Sequence, residues 1–219
     1  MKMKKLNFII KYGLALLLLS FYSCESWLNV TPSDRLSEEM LFNDREGFVK
    51  ALNGVYIELN TNELYGRNLT AGALDVMGQY YSVASSSHAF YNYGGLVYTG
   101  NDEKALFDNM WQKCYAVIAC CNTIIEKCDE NKAGLSPVWK GSIKGEALAL
   151  RAMLHFDMLR LFGPLTSELD KESIPYQTNS DQTVTPLLSG SEVVGLILDD
   201  LKNAVGLLKD TDPYFVEEE

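Results

Sequence analysis

Two long runs of helical periodicity limit this chain more than any other feature. From Asp102 or so to about Asp129, apolar side chains recur at three- and four-residue spacing: Leu106, Met110, Cys114, Val117, Cys121, Ile125 and Cys128. The next run opens at Ser136-Pro137, where proline at the first helical position costs no hydrogen bond. It carries Trp139, Ile143, Ala147, Leu150, Leu154, Met158 and Leu161 before Gly163-Pro164 stops it. An earlier helix is predicted from Asn43, with Glu46 completing a capping box and Phe48, Leu52, Val55, Tyr56 and Leu59 as its buried face. Gly47 and Gly54 within it would admit a closely packed neighbour. Ser189 and Glu192 cap a fourth helix, whose Val193, Val194, Ile197, Leu201, Val205 and Leu208 keep the same period until Asp212-Pro213. Four helices of this length imply a mainly α domain of stacked antiparallel pairs. No strict tetratricopeptide consensus is present. After the fourth helix the tail, Phe215-Val216-Glu217-Glu218-Glu219, offers nothing to cover the outer face, and helical arrays usually need about three repeats. The expectation is therefore a truncated array.

The N-terminus carries an address. Lys2, Lys4, Lys5 and Lys11 precede a short apolar run, Gly13 to Leu19, and then Ser23-Cys24. A membrane span needs roughly 20 apolar residues, whereas this run fits the h-region of a secretory signal. A cysteine placed just after such a run is the pattern of a bacterial lipoprotein signal. Residues 1–23 are accordingly expected to be removed and Cys24 to be lipidated. The alternative is an uncleaved signal anchor. Residues 25–36 lack a helical period and read as an extended arm.

Charge narrows the partners. The full chain carries −10, and its leader contributes only lysines, which leaves −14 on residues 24–219. Such acidity argues against nucleic acid, which calls for clustered Lys and Arg. It argues equally against adhesion to anionic lipid and makes a covalent lipid the better tether. A 47% hydrophobic composition is that of a globular chain.

Cys114, Cys121 and Cys128 lie seven residues apart, about 10.5 Å along one helical stripe. Bridged cysteines require Cα atoms within about 7 Å, so no pair on that stripe can close. No histidine stands at a ligand-like spacing, so no metal site is expected either. With Cys120 they read as small buried apolar residues.

Between Asp75 and Asp102 the chain has no Lys, Arg, Asp or Glu. That neutral stretch holds Tyr80, Tyr81, Phe90, Tyr91, Tyr93 and Tyr98 among Ser85-Ser86-Ser87, Asn92 and Gly94-Gly95. Sugars present apolar C–H faces rimmed by hydroxyls, which suit flat rings flanked by neutral donors and acceptors. The competing reading is that the rings pin an irregular segment onto the helices. Asp75 is a candidate either to accept hydrogen bonds from a sugar or to cap a loop. His88 is a further candidate donor without an acid or nucleophile beside it. Asn101 with Asp102 is expected to cap the helix that runs to about Asp129. His155 reads as a packing histidine, Glu146 and Arg151 as anchors of helix packing, and Asp199-Asp200 as solvated charge.

Four blocks carry a family resemblance: Ser23-Cys24 with Leu28-Asn29-Val30-Thr31-Pro32; Phe48-Val49-Lys50-Ala51-Leu52-Asn53-Gly54-Val55-Tyr56; Trp111-Gln112-Lys113-Cys114-Tyr115 with Asn122 and Ile125; and Gly145-Glu146-Ala147-Leu148-Ala149-Leu150-Arg151-Ala152, running on to Phe162-Gly163-Pro164. In this order and spacing they resemble the front part of a SusD/RagB-type lipoprotein. The resemblance implies an outer-membrane nutrient-binding lipoprotein lying over a SusC-like TonB-dependent transporter and capturing glycans, or sometimes peptides. It implies tetratricopeptide-like helix pairs with a long irregular aromatic-rich segment between the first two helices, and no catalytic site. In such proteins that segment contributes to the ligand face, though no local motif transfers a particular residue; the ligand-binding candidates, read from the neutral stretch itself, are Asp75, Tyr80, Tyr81, Tyr91 and Tyr93. Members run to about twice this length or more, so residues 24–219 correspond to an incomplete domain.

No phosphate loop, dinucleotide motif, zinc-helix motif or nucleophile elbow occurs, and no cofactor is expected. The favoured reading is a surface glycan-binding module delivering oligosaccharides to a transporter. The alternative is a lipid-anchored helical-repeat scaffold that binds another protein and no sugar.

Overall fold

The computed structural model describes residues 38–181, 183–208 and Pro213. The leader, Cys24, the arm, Asp212 and the acidic tail lie outside the described residues.

A single turn, α1 (Glu38–Leu41), precedes the first long helix, α2 (Arg45–Leu59). The cap of α2 is Asp44 rather than Asn43: its Oδ1 accepts the Gly47 amide at 2.8 Å. A charged carboxylate is the stronger acceptor at the positive end of a helix, which moves the start by one residue. Glu46 pairs instead with Lys50, at 2.7 Å. Phe48, Leu52, Val55 and Leu59 are buried as expected, whereas Tyr56 is 44% exposed and donates its hydroxyl to Glu146 at 2.9 Å. Gly54 faces open space and Gly47 abuts the Leu41 carbonyl, so neither seats a neighbouring helix.

After two short helices, α3 (Ala73–Met77) and α4 (Tyr91–Gly94), the chain enters α5 (Asn101–Glu130) and α6 (Pro137–Phe162). The cap of α5 is Gly100, not Asn101, and it contributes no side-chain bond. A Cβ there would lie 2.0 Å from Glu103 Oε2, so glycine leaves room for that carboxylate to fold back. The turn between α5 and α6 is built by Asn131, which takes the left-handed conformation (φ 46°) and exchanges two side-chain bonds with the Leu135 backbone. Ser136 caps α6 and Gly163 ends it, as the sequence indicates.

Contacts establish the antiparallel stacking. Lys144 reaches Asp129 beside the turn, Cys114 Sγ meets the Leu154 carbonyl further along, and Trp111 packs edge-on to Phe162 at the far end. Across the next interface Arg151 meets Asp200, and Gly145 faces Ala204 and Leu208. The partner there is α7 (Gly190–Leu208), capped by Ser189 and Glu192 as the sequence indicates. A short antiparallel pair, β1 (Glu172–Pro175) and β2 (Leu187–Ser189), joins α6 to α7 and buries Ile174. Strands this short show no period, and nothing in the sequence reading anticipated them.

The buried stripe of α7 departs from the expected one. Val193, Ile197, Asp200 and Ala204 face inward, while Leu201, Val205 and Leu208 are 39%, 65% and 38% exposed. Asp200 therefore is not solvated charge: its pairing with Arg151 turns the helix by one position. Cys114, Cys121 and Cys128 are free and buried, but Cys120 is exposed. Among the described residues no helix is long and apolar enough to cross a membrane.

Candidate functional site

The charge-free stretch folds into a small cap of its own. Gly78 ends α3 and Gln79 takes a left-handed turn (φ 61°). The Gln79 side chain then donates to the Gly94 carbonyl at 2.8 Å, tying α3 to α4. The Tyr81 hydroxyl donates to the Ala71 carbonyl, which fixes its ring across the start of the loop. Farther on, the Ser85 carbonyl accepts the His88 amide at 3.0 Å, and His88 Nδ1 accepts the Phe90 amide at 3.1 Å. Because Nδ1 accepts, the neutral ring carries its proton on Nε2, leaving one N–H free to donate.

These turns border an open cleft of about 480 Å³. Its walls are Val76, Tyr81, Val83, His88 and Phe90, with Ser82 and Ser85 supplying hydroxyls and Ala71 and Ala84 completing the lining. No ionised carboxylate, ammonium or guanidinium stands among them. The Arg67 guanidinium lies 5.8 Å from the Phe90 ring centre, and its Nε donates to Asn68 Oδ1 at 3.1 Å.

The structure separates the five candidates. Tyr81 lines the cleft. Tyr80, 81% exposed, and Tyr91, 43% exposed, stand outside the lining. Asp75 is half-buried in the first turn of α3; it neither borders the cleft nor caps the helix, whose N-cap is Gly72. Tyr93 is 2% exposed, and its ring packs against Phe90 at 5.9 Å and Phe107 at 6.0 Å. Burial, with the Glu103 and Asp102 charges behind it, pushes the Tyr93 phenol up to about 12. That ring has no free face and belongs to the core. From it an aromatic chain runs through Phe107 and Phe162 to Trp111, anchoring the cap to α5 and α6. Phe90, Ser82 and Ser85 line the cleft, and Tyr91 and Tyr93 do not. The available signal was the Ser85-to-His88 run, a turn former that carries His88 and Phe90 toward one side.

A second cavity, about 620 Å³, lies along α5, α6 and α7, bordered by Ile125, Leu148, Leu207, Lys144 and Lys202. Arg151 and Asp200 at its base are occupied with each other, with Asn122 and with the Tyr176 hydroxyl. His155 stacks on Tyr176 at 3.9 Å and uses both ring nitrogens, on the Arg151 carbonyl and the Gln177 amide. This network joins helices and offers no free group for chemistry. Among the described residues no group of three His, Cys, Asp or Glu could hold a metal ion.

Comparison with known proteins agrees with the architecture. A family model described as SusD-like, starch-binding and associating with the outer membrane, matches residues 26–216. SusD-like protein P2 of Formosa agariphila is 27% identical over 170 residues, which is 75% of this chain and 31% of that protein. A SusD-like protein of Bacteroides ovatus is 30% identical over 110 residues, 48% of this chain and 19% of the relative. A SusD-like carbohydrate binding protein from Bacteroides vulgatus superposes with a TM-score of 0.63 at 24% identity, covering 81% of this chain and 38% of its own. A SusD superfamily protein from Bacteroides thetaiotaomicron gives 0.58 at 20% identity, covering 75% and 37%. The chain spans about a third of the length of P2 and of these two structures. With a family model matching nearly its whole length, on a fold of stacked antiparallel helix pairs, the chain belongs to the SusD-like family.

Proposed function

We propose that residues 24–219 form the front portion of a lipid-anchored glycan-capture module at the outer membrane, tethered through Cys24 after removal of residues 1–23. The module holds oligosaccharide at the cell exterior and passes it to a SusC-like TonB-dependent transporter. One observation carries the binding reading: the uncharged cleft bounded by Tyr81, His88 and Phe90. Ring faces supply contact with the apolar C–H surface of a sugar, while Ser82, Ser85 and His88 Nε2 supply orientation. Family membership supports the same reading, since the family model's description is starch-binding, and the B. vulgatus neighbour is a carbohydrate binding protein.

A pull-down on insoluble polysaccharides tests it, comparing the wild type with Tyr81→Ala and His88→Ala. Losing one stacking ring is expected to weaken retention about tenfold, roughly 1.4 kcal/mol. Equal retention of all three proteins by a polysaccharide that holds the wild type would remove the cleft from the proposal. Labelled palmitate that attaches to the wild type and not to Cys24→Ala tests the anchor. Co-purification of a TonB-dependent transporter with the native, membrane-extracted protein tests delivery.

A further inference from the structure

We infer that the cleft selects uncharged sugars and rejects those bearing carboxylate or sulfate groups. This rests on the glycan-binding reading above and names its substrate class. The lining offers a bound anion no counter-charge: its polar groups are two serine hydroxyls, the Tyr81 hydroxyl already donated to Ala71, and the imidazole of His88. An anionic group placed there would meet no Lys or Arg on the lining to pair with its charge. Specificity of this kind comes from what the wrong ligand leaves unpaired.

The surrounding charge acts in the same direction. No Lys or Arg occurs in the sequence between Asp75 and Asp102, and the segment is bracketed by carboxylates at both ends. Glu103 is held ionised by the hydrogen bond from Asn92 Nδ2 at 2.7 Å, which lowers its affinity for a proton. Residues 24–219 carry −14, so an acidic polymer also meets repulsion on approach. The guanidinium next to the cleft, Arg67, is turned over Phe90 and joined through Nε to Asn68. Its remaining donors are a route by which the site could accept an anion, and the experiment includes it.

The test uses the full chain in detergent and affinity electrophoresis through gels holding soluble α-glucan, β-glucan, mannan or galactan. Each is run beside its C6-oxidised counterpart, in which the primary alcohol has become a carboxylate while the backbone is unchanged. Salt is kept at 0.15 M or above, so that long-range repulsion is screened at about 8 Å. Retention by a neutral polymer, reduced at least about tenfold in its oxidised form, is the expected result. Equal or stronger retention by the oxidised form overturns the selectivity and leaves glycan capture standing; loss of that retention in Arg67→Gln would identify Arg67 as the anion ligand. Retention by none of the eight polymers overturns the glycan-binding reading itself.

Discussion

Arg151 on α6 grips Asp200 on α7 through two parallel hydrogen bonds, Nε to Oδ2 and Nη2 to Oδ1, each 2.7 Å long. Burial disfavours the guanidinium charge, yet the hydrogen bond and the charge of Asp200, with Tyr176 and Cys121 behind them, together outweigh it and raise the Arg151 pKa. Tyr176 adds a third donor to the same carboxylate at 2.6 Å. Asp200→Ala leaves a buried cation without its counter-charge and is expected to cost about 3–5 kcal/mol. Replacing the set together, as Arg151→Met, Asp200→Leu and Tyr176→Phe, is expected to cost much less than the three single changes added. Urea midpoints of the wild type, Asp200→Ala, the three single variants and the triple variant decide it. A near-normal midpoint for Asp200→Ala would mean the pair is not what joins the two helices.

His155 makes stability depend on pH. Burial comes first, with the neighbouring Arg151 charge behind it, and pushes the imidazole down to about 4. Its Nε2 accepts the Gln177 amide at 3.0 Å, so a proton arriving there would confront an N–H. The unfolded chain takes up that proton near 6.5 and the folded chain only near 4. Stability is therefore fully present above pH 6.5, declines as pH falls below it, and levels off below about 4. Over that window the loss is on the order of 3 kcal/mol. Denaturation midpoints between pH 7 and 5, above most carboxylate titrations, should slope in the wild type and flatten in His155→Gln.

Glycines that look alike in sequence should respond oppositely. Gly145 faces α7, where an added Cβ would lie 2.7 Å from Leu208 Cγ and 3.3 Å from the Ala204 carbonyl. Gly145→Val is expected to destabilise by about 1–3 kcal/mol through overpacking. Gly54 and Gly195 sit within helices with nothing within 4 Å, so Ala at either should add about 0.4–1 kcal/mol. Thermal melts in which Gly145→Val matched the wild type would contradict the close approach of α6 and α7.

These responses mark where the sequence was readable. The long helices followed from period and caps because Met110, Cys114, Val117 and Cys121 repeat over many turns, and Ser136-Pro137 and Gly163-Pro164 punctuate them. Asp200 reads as solvated because a charge on an amphipathic helix ordinarily is; Arg151, 49 residues earlier and one helix away, explains its burial. The same long-range pairing set the rotation of α7 and so exposed Leu201 and Val205. In the neutral segment, composition indicated the kind of site but not which rings would face it. Tyr91 and Tyr93 are two residues apart, yet one is half open and the other sealed against Phe107, a choice made by tertiary packing alone.

That last contrast gives a prediction separating support from recognition. Tyr93 is closed in by Phe90, Tyr98 and Phe107, so Tyr93→Ala opens a cavity beneath the cap. A loss of about 3 kcal/mol is expected, or roughly 6–12 °C in Tm for a domain of this size. Tyr93→Phe keeps the ring and should stay within about 1 kcal/mol of the wild type. Tyr80, with most of its surface in solvent, should leave Tm within about a degree or two when changed to Ala. Differential scanning calorimetry of these three variants and of Tyr81→Ala, paired with polysaccharide retention of the last, divides the tyrosines by role. If Tyr93→Ala melted with the wild type, the aromatic chain from Phe90 to Trp111 would not be what fastens the cleft to the helices. If Tyr81→Ala lost retention while keeping its Tm, the ring facing the cleft would be acting on ligand and not on the fold.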